Sequence, residues 1–193
     1  METIEARLAE SEARNRLNNR VAVAVALISA FMAVTKIKDD NIVQAMLQAK
    51  SDSVDAWNEY QAKKLKLHLA ELGLGQSRAL RLVVPSRGVK ELEEQQQAYA
   101  ATVARYQGES EAIMKRARGF EKQYDDLNFR DDQFDLSDAA LSVALAMLAV
   151  TALTGRRWLL WASLLFAGFG VVMGLAGLLG LHLHPDWLTK LLS

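Results

Sequence analysis

The chain has 193 residues, 51% of them hydrophobic, and its 23 basic and 23 acidic side chains cancel. A formal net charge of zero removes any global attraction to nucleic acid or to an anionic surface, so no nucleic-acid partner is expected. The absence of cysteine fits an oxidising compartment and many cytosolic chains alike, and it decides nothing about location.

Charge is local rather than global. It is missing from three stretches and dense elsewhere, the pattern of a multi-pass membrane protein with an extramembrane insertion. Residues 1–20 form a charged N-terminal segment carrying Arg14, Arg16 and Arg20. The first apolar stretch is Val21 to Thr35, flanked by Arg20 and Lys36. It falls slightly short of the roughly 17–25 residues of a usual span, but the long stems of Arg20 and Lys36 lie along apolar surface and lengthen it. This predicts a first transmembrane helix over 21–37. No small-x-small cleavage site precedes Lys36-Ile37-Lys38-Asp39-Asp40, which argues against a signal peptide.

Residues 38–138 are predicted to form a long extramembrane antiparallel helical hairpin, a coiled coil between the first and second spans. The outgoing arm places Val43, Leu47, Val54, Trp57, Leu65, His68 and Leu72 at steps of three, four, seven or their sums, with Ala45, Ala49 and Ala56 on a neighbouring small face. Gly73, Gly75, Pro85 and Gly88 mark the tip at 73–88. The apolar run Ala79 to Val84 within the tip either folds back over its own helix ends or packs on a neighbouring subunit. In the returning arm, Leu92, Tyr99, Tyr106, Ile113, Phe120, Leu127, Phe134 and Leu141 stand seven residues apart. Such a series is one stripe of a continuous helix, and its companion row (Val89, Gln96, Val103, Ser110, Ala117, Tyr124, Asp131, Asp138) is mixed.

The second span is predicted over 139–155 and the third over 158–181, joined by Gly155, Arg156 and Arg157. A tail, 182–193, follows. Basic residues near short loops set orientation, and both Arg14/Arg16/Arg20 and Arg156/Arg157 put the N-terminus and the short turn inside. The hairpin and the tail then lie outside.

A two-helix hairpin buries little core per residue, so a homo-oligomer is expected. The rows Leu92 to Phe134 and the pair Gly170 and Gly174, at small-xxx-small spacing, are its candidate packing residues. The glycines serve close approach between subunits or within one.

Chemistry is sparse. His182 and His184 form a membrane-exit turn or a weak metal pair, and His68 falls on the packing stripe. No nucleophile–base spacing is present, so no catalytic residue, metal or cofactor is expected. Asp39 and Asp40 leave the first span while Asp131, Asp132, Asp135 and Asp138 approach the second. Hairpin geometry sets both groups at one height, as a cation collar in a ring of subunits or as ordinary ion pairs with Lys36, Lys38 and Arg130.

The stretch from Lys38 to Met46, continued by Gln48-Ala49-Lys50 and by Asp55 to Lys63, resembles a family of small bacterial membrane proteins known as domain of unknown function 4337. The run Ala13 to Arg20 is similar to that family's entry into the first span. The resemblance implies a bacterial inner-membrane location, which makes the hairpin and tail periplasmic, and it implies the three-span layout. It transfers no activity.

The reading is a non-enzymatic homo-oligomeric membrane protein whose hairpins project as a scaffold or partner-binding assembly in the lipid bilayer. The alternative is an ion channel or pore lined by Ser29, Thr35 and small neighbours, with the acidic collar at its mouth.

Overall fold

The structure, a computed structural model, describes residues 2–83, 85, 88–181 and 183. Among them the chain is all-helical: α1 spans Glu2–Leu80, α2 spans Val89–Thr154 and α3 spans Arg157–Leu179. By length and composition, all three are long and apolar enough to cross a membrane.

The helices end where local chemistry requires it. α1 runs through Gly73 and Gly75 and stops at Leu80, so only 81–88 separate it from α2, a shorter connection than the predicted tip. Two glycines are tolerated there because the helix packs on both sides of them, whereas Pro85 lacks the N–H a helix would need. The break between α2 and α3 is Gly155, which takes φ 67° while its N–H donates to Thr151 O at 2.9 Å. α3 closes in the same way on Gly180, φ 66°, with Leu181 N–H donating to Ala176 O at 2.9 Å, a Schellman arrangement.

Two compact units divide the chain. The first comprises Met1–Ala45 and Asp126–Ser193. Its core joins all three helices through Leu17, Val21 and Ile28, then Leu141, Ala144 and Leu148, then Leu160 and Ala167. Glycines let α3 approach. A Cβ on Gly170 would lie 2.7 Å from Leu141, one on Gly174 would meet Ser137 and Phe31, and one on Gly177 would meet the Phe134 ring. Of the two roles open to Gly170 and Gly174, close approach between subunits or within one, the second is the one seen, because their hollows are filled by the chain's own large side chains. The outer face of this unit is apolar, with Leu27 67% and Leu165 72% exposed.

The second unit is Met46–Asp125. Its contacts between α1 and α2 pair rising numbers with falling ones: Trp57 Nε1 donates to Glu121 Oε1 at 2.8 Å, Lys63 meets Glu109, Gln96 Nε2 donates to Ser77 O at 2.9 Å, and Arg81 meets Glu93 at 2.6 Å. Arg116 and Glu59 add a further pair. The series Leu92 to Phe120 does line this seam, buried at Leu92 and Ile113 and half-buried at Tyr99, Tyr106 and Phe120.

The facing row on α1 is not the predicted one. Ala49, Ser53, Ala56, Leu67, Ala70 and Ser77 are buried, whereas Leu47, Val54, Leu65 and Leu72 are exposed, with Leu69 beside them. The cause is size. Aromatic side chains from α2 need small partners if the axes are to approach, and a Cβ on Gly73 would lie 2.6 Å from Tyr99 Cε1. The larger aliphatics of α1 are therefore turned to the opposite side. His68 turns outward too, with its Nδ1 3.0 Å from Glu71 Oε2.

Ala56→Leu should force this closed row apart at a cost of roughly 1–3 kcal/mol, read as a lower melting temperature by circular dichroism in detergent. Phe134→Ala, at a side chain 3% exposed, should cost about 3–5 kcal/mol, and Phe120→Ala less because that ring is only half-buried.

Candidate functional site

Polar groups gather in the first unit where the sequence placed its carboxylates. Asp39 is 94% buried, being 6% exposed, on the same turn of α1 as Lys36. Lys36 Nζ donates to Asp39 Oδ2 at 2.8 Å and lies 3.4 Å from Asp40 Oδ1. Asp40, one residue on and rotated by about 100°, stays exposed.

Across from it, α2 supplies Asp131 and Asp135. Asp39 Oδ1 is enclosed and receives no hydrogen bond from a permanent donor. Asp131 faces Asp39 from α2, and its carboxyl is pushed up to about 6, first by burial, then by a hydrogen bond with Asp39, then by the negative charges of Asp135, Asp39 and Asp132. Burial is thus the first reason Asp131 holds its proton longer than an ordinary aspartate, and the hydrogen bond with Asp39, which requires one proton between the two carboxyls, adds to it. Asp135 lies toward the open side of the cluster and is also raised, by burial and by Asp39 and Asp132, with Lys36 opposing.

Of the six predicted collar residues, the fold brings Asp39, Asp131 and Asp135 together. Asp132 and Asp138 act on them from the edge, and Asp40 turns to Lys36. Among the described residues no group of three or more His, Cys, Asp or Glu side chains has the arrangement of a metal site. The histidine pair His182 and His184, with most of the tail 182–193, lies outside the described residues.

Two neighbours were not foreseen. Arg130, expected to pair with the carboxylates, donates instead to Gly177 O, from Nη2 at 2.9 Å and Nε at 3.3 Å. Gln133 is fully buried, and its Nε2 donates to Leu181 O and Leu183 O, both at 2.7 Å. Arg130 thus binds a carbonyl of the last turn of α3, and Gln133 binds two carbonyls of the segment just beyond it. Only the polar character of a Gln at the start of an apolar run could have drawn attention to it. Thr35, named as a channel-lining residue, is buried, and its hydroxyl donates to Phe31 O and Met32 O of its own helix.

These features define a class, an all-α protein with three helices of membrane-crossing length and a carboxylate pair of which one member, Asp39, is buried and the other, Asp131, half-buried. The family model for Domain of unknown function (DUF4337) matches residues 17–180, and the chain belongs to that family. No curated protein and no solved structure matches it.

The Asp131 carboxyl sets a pH dependence. Its folded value, about 6, lies above the ordinary 3.8, so the folded state binds more protons in between, and stability falls as pH rises through that window. Asp131→Asn should therefore remove this slope and stabilise the protein above pH 6 by roughly 1 kcal/mol, the gain being reduced by solvent screening at a half-buried site. Melting temperatures of both proteins between pH 4 and 8 check the sign.

Proposed function

We propose that the chain is a non-enzymatic, three-span membrane protein whose α1 and α2 continue outside the bilayer as an antiparallel helical hairpin. It assembles with further copies of itself into a scaffold or partner-binding structure. One observation carries this reading: Leu47, Val54, Leu65, Leu69 and Leu72 form a single stripe on α1, exposed, and about 180° from the row that faces α2. α2 cannot cover both sides of α1. A periodic aliphatic stripe on a projecting helix is the surface another helix packs on, and a second copy supplies a matching stripe by symmetry.

The membrane part of the proposal is supported by the apolar exterior around Leu27 and Leu165 and by spans without internal charge. Basic residues Arg14, Arg16, Arg20, Arg156 and Arg157 favour a cytoplasmic N-terminus, with the hairpin on the opposite side in a bacterial inner membrane. A channel draws on the same carboxylates. Asp39, however, is enclosed among helices of its own chain, and Thr35 spends its hydroxyl on its own backbone, which favours the scaffold.

Mass measurement of the detergent-solubilised complex tests the assembly. Wild type is expected at a multiple of 21.4 kDa, and Leu65→Glu with Leu72→Glu at a single chain with unchanged helix content. A monomeric wild type, or a conductance in liposomes that disappears on Asp39→Asn, would displace this reading.

A further inference from the structure

At the other end of the first unit, α1 and α3 enclose a groove of about 510 Å³. Its floor is apolar, because Leu17 and Leu160 are both buried where the two helices pack. Its walls are basic: Arg16 and Arg20 stand one turn apart on α1, and Arg157 opens α3 from the opposite side. Among the described residues the only carboxylate in its lining is Glu12, bound to Arg16 at 3.2 Å. Three guanidiniums face one carboxylate, so positive charge is left over. Trp161, one turn into α3, lines the rim and is largely exposed.

The start of α3 adds to this. Arg156 precedes the helix in an extended conformation, φ −79° and ψ 111°, and gives it no side-chain cap. Leu159 N–H donates back to Arg156 O at 3.2 Å, and the N–H groups before it, uncapped by the Arg156 side chain, lie beside Arg157 at the positive end of the helix dipole. An apolar floor, a tryptophan at the rim and a cationic wall match a ligand with an anionic phosphate head and an apolar tail.

We infer that the groove between α1 and α3 binds the headgroup phosphate of an anionic phospholipid, held by Arg16, Arg20 and Arg157 with Trp161 against the glycerol and upper acyl region. This rests on the proposed membrane reading, which sets these residues at headgroup level. Guanidinium is suited to the task, being permanently charged and able to present paired donors to phosphate oxygens. The site would anchor α1 to α3 through a lipid at the end of the bundle remote from the carboxylate pair.

Native mass spectrometry of the full chain, released from neutral detergent with defined lipid added, tests the inference. Phosphatidylglycerol should be retained in preference to phosphatidylcholine, and Arg16→Gln, Arg20→Gln and Arg157→Gln combined should weaken its retention by about tenfold or more. The control triple of Lys115→Gln, Arg118→Gln and Lys122→Gln, which removes the same charge from the second unit, should leave it unchanged. If the triple groove variant does not fold, Arg157→Gln alone should still give a several-fold loss.

Equal retention of the two lipids by wild type would overturn the inference, as would equal losses in the groove and control variants. Inorganic phosphate or glycerol phosphate binding as tightly as the lipid would mark a soluble-anion site and would also overturn it. A chain recovered in solution without detergent would instead defeat the membrane reading itself, a result distinct from a detergent-dependent chain without lipid preference.

Discussion

Large side chains of one helix seated on small side chains of another form the constraint on which the structure depends. In the second unit the aromatic rings of α2 face alanine, serine and glycine on α1, and in the first unit Leu141, Phe31 and Phe134 press on Gly170, Gly174 and Gly177 of α3. Close approach lets dispersion act over the full length of a contact that is only one side chain deep. It also divides the aliphatic surface. Whatever α1 does not need for α2 is displaced outward, and the stripe from Leu47 to Leu72 follows from this.

The carboxylates show a cost accepted inside the same arrangement. Asp39 and Asp131 come from different helices, and a buried pair of like charges is tolerated only by holding a proton and by the single ammonium of Lys36. Replacing them with apolar residues would pack as well, so stability does not explain them. Arg130 and Gln133, which flank Asp131 on α2, bind carbonyls at and just beyond the end of α3, so the polar cluster and the helix terminus lie in one layer.

Membership of a family without an assigned activity leaves function to physical reading. The proposed scaffold and the proposed lipid groove use different parts of the molecule. One concerns an unpartnered stripe in the second unit, the other a cationic groove in the first. Each would add contacts where the unit's own core is small.

The sequence by itself determined the helices and their breaks. The series from Leu92 to Leu141 could only be one unbroken helix, and Pro85 and Gly155 could only interrupt. It also identified Asp39, Asp131 and Asp135 as neighbours in height. What it left undecided was rotation. α1 carries two stripes: a small row at heptad spacing, Ala49, Ala56, Ala70 and Ser77, and an aliphatic row at steps of seven and eleven, Leu47, Val54, Leu65 and Leu72. Hydrophobicity favours the second as the seam, yet the partner's aromatic bulk selects the first. The same rotation buries Asp39 and exposes Asp40, although the two are adjacent and identical. Periodicity reports that a face exists, and only the shape of the neighbouring helix decides which face is turned inward.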